Sequence, residues 1–413
     1  MTSDPRPTVD DAVRRQVLDG LAPRHRDGEP LYFSREEFAS RIARARQSLG
    51  QANLAALLVF APETHYYLAG FDTTGFVYFQ CGVLMADSDE ITVLTRRPDR
   101  QQAIERSILN DIRIWYDAPG VDPAEELKAI LAEKGLAGAR IGVELDNYGL
   151  TGFNHLRLQK ALDGWCELVD GSSIVRHLRV VKSPAELTYM RKAAALADDA
   201  LVAMLDKVRP GHLDSEIAAK GLEVMLLGGG DVPPGAPLVN SGPRALYGRG
   251  VAGPRMLTDP DQVTIEFAAT YLRYNVCIMR TALIGKPTDE QRRMQAATED
   301  AIAAMTEAAA PGAPLGAIDD AHRRVFDRAG YASSRFAACG YSLGATYRPS
   351  WMDVPPMLYS GNDTPAEPGM VLFLHAICPN AGGGLATSIG HTIVVTETGR
   401  DRLSRLGHEM VVI

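Results

Sequence analysis

Residues 261–285, DQVTIEFAATYLRYNVCIMRTALIG, constrain the fold more than any other stretch of the chain. Two runs rich in Val, Ile, Phe and Tyr flank a polar turn around Tyr271, Leu272 and Arg273, a pattern that predicts a long and largely buried β-hairpin. The first arm carries a carboxylate, Glu266, and the second a thiol, Cys277. A carboxylate moved from water into hydrocarbon is strongly penalised unless it is paired or hydrogen-bonded. Glu266 therefore marks either a buried ion pair, with Arg280 or Arg249 as partner, or a reacting group.

The rest of the chain must cover that hairpin. At 413 residues the sequence is too long for one ordinary core, so two domains are expected, 32–179 and 180–413, behind an N-terminal arm at 1–31. The arm holds one short helical pattern at Val9–Leu21. Ser34 and Glu37 form a capping-box pattern ahead of a helix through Leu49. Short apolar runs at 54–60, 77–85, 91–95, 112–116, 140–144 and 166–170 then alternate with helical patterns at 101–109, 125–134 and 154–162. Such alternation predicts an α/β domain. In the second half Ser183-Pro-Ala-Glu186 caps a helix that runs to Val208. Further helices are expected at 214–227, 288–309 and 315–329, with strands at 336–341, 370–378 and 391–397, which makes this half α+β. Gly228-Gly-Gly230 follows a helix instead of preceding one, so it reads as a C-cap and loop, not a phosphate cradle.

Composition removes several function classes. A formal charge of −8 without any basic stripe argues against nucleic acid or anionic membrane as partner. No run approaches the apolar length of a membrane span, and the N-terminus shows no signal-peptide pattern, so a cytoplasmic location is expected. The five cysteines are scattered and contain no CxxC pair, which fits reduced thiols.

Four landmarks then align with a known group. They are Ser183-Pro-Ala-Glu186, Arg280-Thr281, Glu367-Pro-Gly-Met370 and Val395-Thr-Glu-Thr-Gly399. Their order and spacing resemble the creatinase/prolidase, or pita-bread, superfamily across residues 32–405. The resemblance implies an α/β N-terminal domain joined to an α+β pita-bread catalytic domain, a small-molecule substrate and a homodimer. Peptidases of that group hold two metal ions with Asp, Asp, His, Glu and Glu. The corresponding positions here are Glu266, Cys277, Tyr341, His375 and Gly390. Bridging carboxylates are needed to neutralise paired cations. Since one carboxylate remains among the five, the resemblance narrows to creatinase and ectoine hydrolase, which cleave C–N bonds without metal. No cofactor and no metal ligand is therefore expected.

On this reading Glu266 is a base, a nucleophile or an anchor for a cationic group. His375, within VLFLHAIC, is a proton shuttle or a core histidine. Tyr341 steadies negative charge or packs as an aromatic, and Cys277 is a buried hydrophobe unless His375 activates it. Arg249 stands near the place where the two metal-free relatives carry a catalytic His, and would clamp a substrate carboxylate. Trp351, Tyr347 and Tyr66 are expected on the substrate side, Tyr66 by reaching a neighbouring subunit's pocket. The leading function is a metal-independent hydrolase of a C–N bond in a small amino-acid-like, amidine or guanidino compound. The alternatives are a peptidase-like enzyme with a single zinc on Glu266, Cys277 and His375, and a binding protein without catalysis.

Overall fold

The computed structural model describes residues 31–413 apart from 251–252, 336–337 and 381. The helical pattern at 9–21 lies outside the described residues. The remainder divides into two compact units, with the break between Arg179 and Val180.

The first unit begins with α1 (Arg35–Gln51), whose Ser34 cap accepts a hydrogen bond from the Glu37 amide at 3.2 Å. There follow β1 (Ala56–Val59), α2 (Pro62–Ala69), β2 (Cys81–Met85), β3 (Ile91–Arg96), α3 (Arg100–Arg106), β4 (Asp111–Trp115), α4 (Pro123–Glu133), β5 (Arg140–Val143), α5 (Gly152–Leu162), β6 (Glu167–Asp170) and α6 (Ser173–Val180). The six strands form a mixed sheet in the order β4-β3-β2-β1-β5-β6. Alternation along β1 explains its burial on both faces. Ala56 and Leu58 pack with α4 and α5, whereas Leu57 and Val59 pack with α1 and α2. α2 carries no helical stripe because every residue in it except Glu63 is buried.

The second unit contains α7 (Pro184–Asp206), α8 (Asp214–Leu227), β7 (Leu238–Ser241), β8 (Asp261–Tyr271), β9 (Tyr274–Ile284), α9 (Asp289–Ala308), α10 (Gly316–Arg328), β10 (Gly340–Leu343), β11 (Met352–Met357), β12 (Val371–Asn380), β13 (Leu385–Thr396), β14 (Gly399–Arg402) and β15 (Val411–Val412). They build a nine-stranded sheet whose path is β11-β10-β12-β13-β9-β8-β7, with β14 on β13 and β15 on β9. Ser183 and Glu186 close a complete capping box on α7, and Glu186 also accepts the Tyr274 hydroxyl at 2.8 Å. The helix start is thereby tied to the hairpin.

The hairpin turns on two residues, Leu272 and Arg273, both with positive φ (47° and 68°). Asp231 receives the Arg273 amide at 3.0 Å and holds this unusual pair in place of the glycine such turns favour. Leu372, Leu374, Ala376 and Cys378 of β12 pack on α9 and α10. The intervening Phe373, His375 and Ile377 consequently face the opposite side of the sheet. β11 carries Pro355 and Pro356, residues that hid it as a strand in the sequence; its place at the sheet edge tolerates them.

Candidate active site

The hairpin register places the first two functional candidates. Glu266 pairs with Met279 and Ala268 with Cys277, so Glu266 and Cys277 are diagonal neighbours on one face. On that face, away from the helices that pack on β12, opens a pocket. Its wall includes Asn240, Thr264, Glu266, Met279, Ile377 and Ser388, and the segment Ala245–Gly248 lies along one side. Two arginines fix the base of that segment. Arg244 pairs with the fully buried Asp214, and Arg255 donates to Asp261 at 2.7 Å and to Ser241 at 3.0 Å.

Of the four catalytic candidates, Glu266 stands on the pocket wall. Tyr341 lies behind it and donates its hydroxyl to Glu266 Oε1 across a long 3.4 Å. Trp351 in turn donates its indole N–H to the Tyr341 oxygen at 2.8 Å. Burial pushes the Glu266 carboxyl up to about 7, against the lowering influence of the Tyr341 hydrogen bond and the Arg249 charge. At neutral pH it is therefore poised between its two protonation states.

Cys277 is buried, and desolvation together with the Glu266 charge drives its thiol well above the ordinary range. Its neighbours are Glu266 and Tyr341, so the activated Cys277–His375 pair does not form; the residue remains a thiol. His375 packs against Tyr341 and Phe373, with ring centroids 5.9 and 5.6 Å away. Burial lowers its imidazole to about 4, so it is neutral at physiological pH. The expectation of a near-neutral shuttle fails for this reason.

Arg249 sits on an exposed turn beside Gly248, close enough for its charge to act on Glu266. Trp351 and Tyr347 are buried instead of lining the pocket: Trp351 backs Tyr341, and Tyr347 lies under the Arg273 guanidinium at 4.8 Å. Tyr66 belongs to the first unit, where it is fully buried against Tyr32 and Phe33. Arg280 pairs with no carboxylate among the described residues; its guanidinium donates to the carbonyls of Met279, Gly390 and Gly407.

Several pocket residues escaped the sequence reading. Thr264 was detectable, two positions before Glu266 on the same strand face. Asn240 was not, because it reaches the wall only through its pairing with Thr264 across β7 and β8. Its Oδ1 has no hydrogen-bond partner among the described residues.

A two-unit chain with a helix-backed, mainly antiparallel sheet and one carboxylate on the wall of its pocket can be compared with known proteins. Residues 188–397 match the model of metallopeptidase family M24, and residues 41–181 match the creatinase/prolidase N-terminal domain. The chain belongs to metallopeptidase family M24. It is 27% identical to the ectoine hydrolase of Halomonas elongata, over 92% of this chain and 98% of that protein. It is 24% identical to the Xaa-Pro dipeptidase of Pyrococcus furiosus, over 90% and 99% of the two chains. The crystal structure of dipeptidase PepE from Mycobacterium ulcerans superposes with a TM-score of 0.81 at 26% identity, covering 92% and 99% of the two chains.

The family name implies a metal centre, and the residues present do not fit one. Among the described residues no group of three or more His, Cys, Asp or Glu side chains could hold a metal ion. At Gly390 a Cβ would come within 2.5 Å of the Phe373 ring and 3.0 Å of Met279 Cβ. Hydrocarbon thus fills the space that a carboxylate at this position would need. Gly390→Ala is expected to destabilise the protein by about 1–3 kcal/mol through overpacking, with partial relief from Phe373→Leu. Denaturant unfolding of the single and double variants checks this.

Proposed function

We propose that this chain is a metal-independent hydrolase that cleaves a C–N bond in a small amino-acid-like, amidine or guanidino substrate. The observation that carries the reading is Glu266, a carboxyl held near pKa 7 on the wall of a largely apolar pocket. Glu266 accepts a proton from water as the water oxygen bonds to the carbon of the C–N group. It returns the proton to the nitrogen as that bond breaks, so one carboxyl serves as base and then acid. Tyr341 steadies the ionised carboxylate before the first of these steps and after the second. The ionised Glu266 on the pocket wall is an acceptor, which suits a substrate bearing N–H groups. Arg249 at the mouth offers a fork for a carboxylate. The neutral His375 is given no proton-transfer role.

The relatives support a hydrolase, and the ectoine hydrolase among them makes a small non-peptide substrate reasonable. The single-zinc alternative loses ground because Cys277 has Tyr341 and Glu266, not His375, beside it, and the three ligands form no group that could hold a metal ion among the described residues. The deciding experiment is a panel of cyclic amidines, guanidino acids and N-acyl amino acids, assayed before and after exhaustive chelation with metal content measured. Turnover that survives chelation is expected. Turnover that vanishes and returns with added zinc or manganese would sink the proposal.

A further inference from the structure

Trp351 was expected to touch substrate, but its position assigns it different work. Tyr341 has one proton and an oxygen that can also accept. The indole of Trp351 is a donor only, so its 2.8 Å bond to Tyr341 occupies the accepting side of that oxygen. The phenolic proton must then point elsewhere. Two acceptors stand near it: the Glu266 carboxylate, 3.4 Å away, and the sulfur of Cys277. Carboxylate oxygen is much the stronger acceptor. We infer that Trp351 is a positioning residue, whose indole N–H commits the Tyr341 proton to Glu266 and so orients the reacting carboxyl. The inference rests on the hydrolase reading for its consequence in turnover, but not for its geometry.

The indole is itself held firmly. It is 8% exposed, and Gly235 lies flat against it: a Cβ there would fall 2.8 Å from the ring. On the other side, Asn275 fixes the backbone leading to Trp351 by donating to the Gly344 carbonyl at 3.1 Å and to the Thr346 hydroxyl at 2.9 Å. Both anchors lie off the pocket, so the device is built into the wall instead of the substrate cavity.

The direct test is neutron diffraction from crystals exchanged into D2O. The expected map shows the Tyr341 deuteron aimed at Glu266 in the wild type and turned away or rotationally spread in Trp351→Phe. A wild-type deuteron aimed at Cys277, or one unmoved in Trp351→Phe, would overturn the inference. Should Trp351→Phe fail to fold, the wild-type map decides alone. With whichever panel compound is hydrolysed, Trp351→Phe should lower kcat about tenfold and leave KM within about twofold, the signature of a lost orienting bond. An equal rise in KM with kcat unchanged would instead mark Trp351 as a substrate contact. A Tyr341 deuteron aimed at Glu266 in the wild type and displaced in Trp351→Phe, with no turnover of any compound, supports this inference and removes the hydrolase reading. Turnover abolished by Glu266→Gln with the wild-type Tyr341 deuteron aimed at Cys277 does the reverse.

Discussion

Glu266→Gln is expected to reduce turnover by about two to four orders of magnitude, the usual contribution of a positioned acid–base group. The amide keeps the shape of the side chain and an oxygen for the Tyr341 hydroxyl, but it cannot take a proton from water. Folding should be unharmed, because the substitution removes a group whose ionised form burial penalises. The wild type should also show kcat/KM rising through about pH 7, where the Glu266 carboxyl ionises. That limb should be absent from whatever residual rate the variant retains. Paired measurements of turnover and thermal unfolding test the claim, and undiminished turnover in a folded Glu266→Gln protein would remove this carboxyl from the mechanism.

Acid should unfold the second unit well before the first. In the second unit His375 and His408 are lowered to about 4 by burial, and burial drives His391 well below its ordinary value. Each binds a proton in the unfolded chain at its ordinary value near 6.5 but not in the folded one. Stability present above pH 6.5 is therefore lost as pH falls toward 4. Glu266 works the other way: raised to about 7, it adds stability as pH drops from 7 to 4.5. Three histidines against one carboxyl leave a net loss of stability by pH 4.5. In the first unit the buried His65, lowered to about 4, is opposed by the buried Glu144, raised to about 7, and the two nearly cancel. Hydrogen exchange followed by fragment at pH 7.5, 5.5 and 4.5 should show protection falling first in β8, β9 and β13. Equal loss in β1–β6 would contradict the prediction. Within the second unit His391 Nδ1 lies 2.9 Å from His408 Nε2, and Arg402 donates to that same nitrogen at 3.3 Å. A proton on the pair would add a third charge beside Arg280 and Arg402.

Much of the fold was legible because its rules are local. The Ser183 capping box, the helix at 214–227 and the long hairpin all follow from short-range chemistry, and the structure shows them with shifts of at most a few residues at their ends. α2 and α6 escaped because α2 is buried almost all round and α6 is only eight residues long. β7 and β11 escaped because one is short and the other holds two prolines. The site was legible at Glu266, where a carboxylate interrupts an apolar strand. It was not legible at Trp351, Tyr347 or His375, whose roles depend on neighbours distant in sequence. An aromatic residue that might wall a pocket and one that aims a hydroxyl from behind look the same in one dimension. Only the 2.8 Å bond to Tyr341 separates the two cases.

The buried Arg280 carries one further implication, for how the protein is made. Its guanidinium grips the carbonyls of Gly390 and Gly407, while Val411 and Val412 pair with β9 and the Ile413 amide donates to Leu283. The hairpin that bears Glu266 thus waits on residues synthesised well over a hundred positions later. A nascent chain on the ribosome can mature its first unit early, but it lacks part of the pocket wall until Ser388 has emerged from the exit tunnel.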